Sequence, residues 1–187
     1  MAEDACAERL LYGGAISMTL PVRFQDLSNV REVPDHQEAF ADPSRDESLI
    51  IELLDLKQDV ADGASALWFL QDLGREQDAE GEMAISKGRQ GREAQNLVKV
   101  RDLLFQLMSF LLQLSVHLAN LRLKEVGTDV LVTAYEPIVI NPLSESAGTV
   151  GAGLVAPAEQ SGHMPMAEVF KLSVSSFKVN DWSLFNA

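Results

Sequence analysis

Residues 48–56 read Ser48-Leu49-Ile50-Ile51-Glu52-Leu53-Leu54-Asp55-Leu56. Successive side chains of a strand point to opposite faces. Leu49, Ile51 and Leu53 therefore form one apolar row, and Ile50, Glu52 and Leu54 form the other. A strand that is largely apolar on both faces needs cover on both, which places it inside a sheet sandwiched between two layers.

The flanking segments are read by how they could supply that cover. On the N-terminal side, Ala15 to Leu20 alternates Ile16, Met18 and Leu20 with Ser17 and Thr19, a half-buried strand that Pro21 ends. Gly13-Gly14 before it allows a bulge or a close backbone approach. Pro34 pushes Val33 to an extended conformation, so 33–40 reads as strand, followed by a polar loop over 41–47. On the C-terminal side, Asp62 is a candidate N-cap for a helix reaching Gln77, with Leu67, Trp68, Leu70 and Leu73 as its buried stripe. Met83 to Ile85 and Leu97 to Val100 read as short strands around a charged loop containing Gly88 and Gly91. Val116 to Val126 alternates, turns at Gly127-Thr128 and continues into Val130 to Tyr135, which is a hairpin signal. Residues 141–165 are rich in Gly, Ala, Ser and Pro and read as a flexible loop. Pro165 opens a last helix carrying Val169, Phe170, Leu172, Val174 and Phe177, and the tail Asp181 to Phe185 is expected to dock on the core. The expected fold is α+β, a mixed α/β sandwich with a mostly antiparallel sheet flanked by helices, in one domain over 1–187 without internal repeats.

The chain has 187 residues and a net charge of -13, from 28 acidic and 15 basic side chains. Such a field repels nucleic acid and anionic lipid and favours encounter with a basic protein. Hydrophobic residues make up 47% and charged residues 23%, a balance that can bury a core. The single cysteine, Cys6, excludes an intramolecular disulfide; it falls in what reads as a frayed terminus and fits a reducing compartment. Glu3, Asp4 and Glu8 precede the first base, Arg9, a pattern unlike a secretory leader or a transit peptide. The expectation is a monomer of the nucleus and cytoplasm.

Signs of an enzyme are missing from the pattern. His36, His117 and His163 lack partners at metal-ligand spacing, so no metal or cofactor is expected, and His117 reads as a satisfied, partly buried strand residue. Gly148, Gly151 and Gly153 do not sit between a strand and a helix as a dinucleotide fingerprint requires. There is no P-loop lysine, no G-x-S-x-G elbow, and no histidine partner in view for Cys6. What stands out instead is a set of acids at strand ends and in adjoining loops: Asp26, Asp35, Glu38, Glu52 and Asp55. They are read either as a partner-binding patch or as an ordinary solvated acidic surface, since aspartate at a turn commonly bonds its own backbone. Ser28 is a candidate cap for a short helical turn after Asp26. Glu52 and Asp55 can share one surface only if the strand ends or twists near Leu54.

The first third of the chain carries a more specific pattern. Leu11-Tyr12-Gly13-Gly14-Ala15, Pro21, Asp26 before a serine, Arg31-x-Val33-Pro34-Asp35-x-Gln37-Glu38 and the strand Ser48 to Leu56 occur in fixed order. Together they resemble the Ran guanine nucleotide release factor family. The hairpin with Thr128-Asp129-Val130-Leu131-Val132 and the Trp182-Ser183-Leu184-Phe185 tail are similar too. The resemblance implies a PsbP-like fold, an antiparallel sheet flanked by helices. It further implies binding to the GTPase Ran, at a basic surface near its nucleotide site, and stimulated loss of bound nucleotide, chiefly GTP, in nucleocytoplasmic transport. The acidic surface that contacts Ran in that family matches Asp26, Glu52 and Asp55 here, with Asp35 and Glu38 in the adjoining signature. Two further readings of the same fold are a PsbP-like subunit of a photosynthetic complex and a small-ligand-binding protein.

Residues 101–116 match nothing in that family and read as an insertion. No charge occurs from Leu103 to Leu121, and apolar residues face all round. Gln106, Gln113, His117 and Asn120 interrupt the run, so a buried or groove-packed helix is expected there, with no membrane span. Such a helix would interrupt two strands that should pair.

Overall fold

A computed structural model describes residues 4–76, 84–88, 95–107 and 110–186, with side chains for 4–75 and 114–186. The strands are β1 (Cys6–Leu11), β2 (Ile16–Pro21), β3 (Gln25–Asp26), β4 (Gln37–Asp42), β5 (Glu47–Asp55), β6 (Ala84–Gly88), β7 (Gln95–Leu107), β8 (Phe110–Leu123), β9 (Thr128–Ile140), β10 (Gly153–Leu154) and β11 (Lys178–Val179). The helices are α1 (Asp62–Glu76), α2 (Ala147–Val150) and α3 (Met166–Ser176). The large sheet runs β3-β4-β5-β9-β8-β7-β6, with β10 continuing on β9; a smaller sheet runs β1-β2-β11. Every pairing is antiparallel.

β5 is central, between β4 and β9, as its two apolar faces require. The face bearing Leu49 and Ile51 packs with Met18 and Leu20 of β2, Val132 of β9 and Val169 and Phe170 of α3. The opposite face is covered by α1, where Ala66, Phe69 and Leu70 meet Leu118 of β8 and Leu131 of β9, with Leu54 and Trp68 alongside. Phe69 and Ala66 are therefore, with Leu70, the buried apolar residues of the described part of α1, whereas Leu67 and Trp68 are only half-buried. The tail docks as expected, with Leu184 and Phe185 packed on the first core.

Several expectations change. Cys6 does not lie in a frayed end: it begins β1, which pairs with β2 from Cys6↔Pro21 to Leu11↔Ile16. Gly13 and Gly14 make the connection between β1 and β2 instead of a bulge, with φ of 66° and 95° that favour glycine. The strand read over 33–40 starts only at Gln37, because 31–36 form the approach to it. Pro165 stands at the N-cap of α3, one residue before its first turn. Segment 141–165 carries α2, β10 and a 3-10 turn at Ala158–Ser161. Gln77, Met83 and Gly91 lie outside the described residues.

The largest correction concerns 101–116. Its described residues, 101–107 and 110–116, are strand and not helix: β7 and β8 pair through Val100↔Val116 and onward to Leu107↔Phe110. Val100, just before the segment, pairs with its last residue Val116, so the segment lengthens the hairpin without separating β7 from β8. An uncharged run apolar on both faces satisfies either period, and here the sheet decides. Among the described residues no helix is long and apolar enough to cross a membrane.

A buried ionic cluster ties the N-terminal segment to the sheet. Arg23 pairs with Asp4 (2.9 Å), Asp42 (2.5 Å) and the fully buried Glu47 (2.7 Å), and Arg45 meets Glu47 at 2.7 Å. Asp4 also accepts from the Met164 N–H at 2.9 Å and lies 3.1 Å from His163 Nδ1. Burial works to raise the Asp4 and Asp42 carboxyls. Their hydrogen bonds, to Met164 and His163 for Asp4 and to Ser44 for Asp42, together with Arg23 outweigh it and hold both below the usual aspartate range.

Candidate functional site

β5 ends at Asp55, and the fully buried Asp129 organises that end. The Leu56 N–H donates to the Gly127 carbonyl and the Lys57 N–H to Asp129 Oδ2, both at 2.9 Å. Asp129 Oδ1 accepts from Arg122 Nε at 3.0 Å and from Asn120 Nδ2 at 3.2 Å. Arg122, with only 3% of its side chain exposed, reaches on to Asp62 at 3.1 Å and to the carbonyls of Lys57 and Val60. Lys124 bonds Asp62 at 2.6 Å and, foremost among the causes, draws its carboxyl down. Arg122 thus stitches the connection from β5 to α1 onto β8 and β9, which fixes where α1 lies.

A groove of about 310 Å³ opens between the end of β5 and α1. Glu52, Asp55 and Asp72 supply its carboxylates, and Leu54, Phe69, Leu73 and Leu131 its apolar lining. The strand stops where the two acids of β5 need it to, so Glu52 and Asp55 share this surface. Lys57 also lines the groove and sits 5.1 Å from the Trp68 ring centroid, a cation–π contact that engages its charge. Trp68 meets Phe69 edge-on at 5.0 Å. Three carboxylates against one occupied ammonium leave the groove net acidic.

Glu52 is held from β4. Gln37, its cross-strand neighbour, donates Nε2–H to Glu52 Oε1 at 2.7 Å, and His36 Nε2 lies 3.5 Å from the same oxygen. The charge is felt nearby: burial and then Glu52 push the Tyr135 phenol up to about 12. Tyr12 is raised further, by burial first and then by Glu38 and Glu52.

The other three acids are placed apart. Glu38 is next to Gln37 on β4, so it projects from the opposite face of the sheet, where its Oε1 accepts the Tyr12 N–H at 2.6 Å. Asp26 lies on β3, paired with Phe40, which in turn pairs with Leu49. Strand spacing and rise put it about 14 Å from Glu52. Asp26 itself caps the 3-10 turn Leu27–Asn29, accepting the Ser28 N–H at 2.8 Å, so the cap is Asp26 and not Ser28. Asp35 is exposed in the turn before β4.

Sequence reasoning missed Asp72, Phe69 and Lys57. The signal was present in the helical period, since Phe69, Asp72 and Leu73 are spaced to share one side of α1. His117 is buried, at 3% exposure, and is not the satisfied, partly buried histidine expected. Its ring centroid lies 5.5 Å from that of Phe170, Glu136 is 3.9 Å away, and among the described residues Nε2 has no hydrogen-bond partner. Among the described residues no group of three or more His, Cys, Asp or Glu is placed to hold a metal ion.

Comparison with known proteins agrees with this architecture. A family model described as "Ran-interacting Mog1 protein" matches residues 9–137. The chain is 33% identical to the Danio rerio Ran guanine nucleotide release factor, covering 74% of this chain and 82% of the relative. It is 35% identical to the Homo sapiens protein of the same name, covering 68% and 74%. A Dictyostelium discoideum relative named "Probable ran guanine nucleotide release factor" is 32% identical, with 95% of each chain covered. The solved structure of the Saccharomyces cerevisiae Ran-binding protein Mog1p superposes with a TM-score of 0.68 at 23% identity, over 97% of this chain and 98% of that one, and shares the fold. Matched over most of its length by that model, and about one third identical to these relatives, the chain belongs to the Ran-interacting Mog1 protein family.

Proposed function

We propose that this protein binds the GTPase Ran through the groove between β5 and α1 and promotes release of its bound guanine nucleotide, chiefly GTP, in nucleocytoplasmic transport. The observation that carries the reading is the meeting of Glu52, Asp55 and Asp72 on one surface in a chain whose relatives bear the name of Ran release factors. Those names favour it over a photosynthetic subunit or a small-ligand carrier. Glu52 and Asp55 are the principal contacts. Asp35, Glu38 and Asp26, on the turn before β4, on β4 and on β3, add their field from outside the groove.

A GTPase grips nucleotide through a phosphate-cradling loop, a lysine and Mg²⁺. A partner that binds the nucleotide-free or switch-open state more tightly must weaken nucleotide binding by the same factor. Carboxylates aimed at basic residues around that site provide the differential contact, and coupling of ~3 kcal/mol corresponds to roughly 150-fold in affinity. The protein acts as a monomeric regulator in the nucleus and cytoplasm and performs no covalent chemistry. On the same reading, 101–116 is an insertion that extends the β7–β8 hairpin away from this groove.

Calorimetric titration of Ran with wild type and with Glu52→Gln/Asp55→Asn, at low and high salt, tests the site. The double variant is expected to bind about 5- to 30-fold more weakly and with a flatter salt dependence, because charges at the rim of an interface act through screened attraction. Equal affinities and equal salt slopes would remove the groove from the interface.

A further inference from the structure

His36 is held so that its imidazole faces the Glu52 carboxylate. Two donors fix its backbone: the Leu53 N–H reaches the His36 carbonyl at 2.9 Å and the Tyr12 hydroxyl reaches it at 3.1 Å. Only the side-chain torsions remain free, and in this arrangement Nε2 stands 3.5 Å from Glu52 Oε1, with half of the imidazole exposed. That distance is too long for a good hydrogen bond and short enough for a strong response to charge. Gln37 Nε2 already donates to the same oxygen at 2.7 Å, which anchors the carboxylate within reach of the ring.

The charges around His36 are consistent in sign. Glu52 faces it from β5, and Asp35 and Glu38 flank it on its own segment. Tyr12, on the connection after β1, is kept neutral by burial and by Glu38 and Glu52. Among the described residues, His36 is the only potential cation within 4.0 Å of the Glu52 carboxylate. Lys57 lines the groove, but its ammonium rests on Trp68.

We infer that His36 is a positioning residue for Glu52 and makes the groove proton-dependent. Neutral His36 leaves the Glu52 charge available to a basic side chain of the partner. Protonated His36 pairs with Glu52 and competes with that side chain. Affinity for a basic partner is therefore lower when His36 carries a proton than when it is neutral. The inference rests on the groove being the Ran-binding surface.

The test is the dissociation constant for Ran at about pH 8 and about pH 5.5, for wild type, His36→Gln, Glu52→Gln and the double variant. His36 is half exposed, so His36→Gln is expected to fold. For an exposed pair the acid-induced weakening should be about two- to threefold larger in wild type than in His36→Gln. In the Glu52→Gln background, His36→Gln should change nothing. A purely structural role for His36 would shift affinity by one factor at every pH. Parallel pH profiles for wild type and His36→Gln would overturn the inference, even with Glu52→Gln/Asp55→Asn weakening binding as expected. If that acid-removing pair binds as tightly as wild type, the groove reading itself fails and takes this inference with it.

Discussion

Replacing Arg122 with methionine should cost more stability than any single change at the surface of this protein. The side chain is 3% exposed, and its Nε holds the fully buried Asp129 at 3.0 Å. Without it, Asp129 keeps, among the described residues, only the Asn120 amide at 3.2 Å and the Lys57 N–H at 2.9 Å. The carbonyls of Lys57 and Val60 lose their donor as well. Breaking a buried pair by removing one partner costs about 3–5 kcal/mol, because a charge is left without compensation in a medium that solvates it poorly. That is a large part of the ~5–15 kcal/mol that holds a domain folded. For a chain of this size each kcal/mol moves Tm by about 2–4 °C, so a fall of roughly 6–20 °C is expected. Urea unfolding followed by circular dichroism, with the slope checked for constancy, gives the free energy directly. Adding Asp129→Asn to Arg122→Met removes the stranded charge and should restore part of the loss. A cost below about 1 kcal/mol, or a double variant no better than the single, would refute the view that this pair carries the β5–α1 connection.

The carboxyls of Asp4 and Asp42 lie below their unfolded values, so the stability they contribute is present above about pH 4 and is lost as pH falls through the folded values. Unfolding free energy should drop as pH falls below about 4, and less steeply in Asp42→Asn; parallel curves would count against the Arg23 cluster. Tyr12→Phe removes the donor to the His36 and Ile51 carbonyls and should cost about 1–2 kcal/mol by urea titration; an unchanged midpoint would contradict it. Replacing residues 104–113 with Asn-Gly leaves the paired Leu103 and Leu114 flanking a two-residue hairpin turn. The shortened chain should keep its circular dichroism spectrum and most of its Tm, whereas failure to fold would mean that 101–116 is integral to the sheet.

What could be read from the sequence followed from local rules. β5 announced itself by two apolar rows, α1 by its apolar spacing, although Asp62 is its first residue and not its N-cap, with its carboxylate on Arg122 and Lys124, α3 by the apolar spacing after Pro165, and the β8–β9 hairpin by alternation on either side of Gly127-Thr128. β1 was missed because Cys6-Ala7-Glu8-Arg9 looks like a solvated end; its pairing with β2 supplies the order that its own side chains do not. The distal arms of β7 and β8 were misread because a run apolar on every side carries no period, and only the register with the neighbouring strand settles it. The site was half legible. Glu52 and Asp55 could be named from the sequence, but their shared surface depends on where β5 stops, and that is set by Asp129, more than seventy residues away. Asp72 joins them only because Arg122 fixes α1 against the sheet, a contact between residues sixty apart. Glu38 shows the converse, since adjacency to Gln37 in sequence puts it on the other face.

The most direct test of the central claim is the release of a fluorescent GTP analogue from purified Ran, followed by stopped-flow, with wild type and with Glu52→Gln/Asp55→Asn at matched concentrations. Release should accelerate in proportion to the concentration of wild-type protein, and the double variant should need about 5- to 30-fold more protein for the same rate. No acceleration by folded wild-type protein, or equal acceleration by the double variant, would contradict the account.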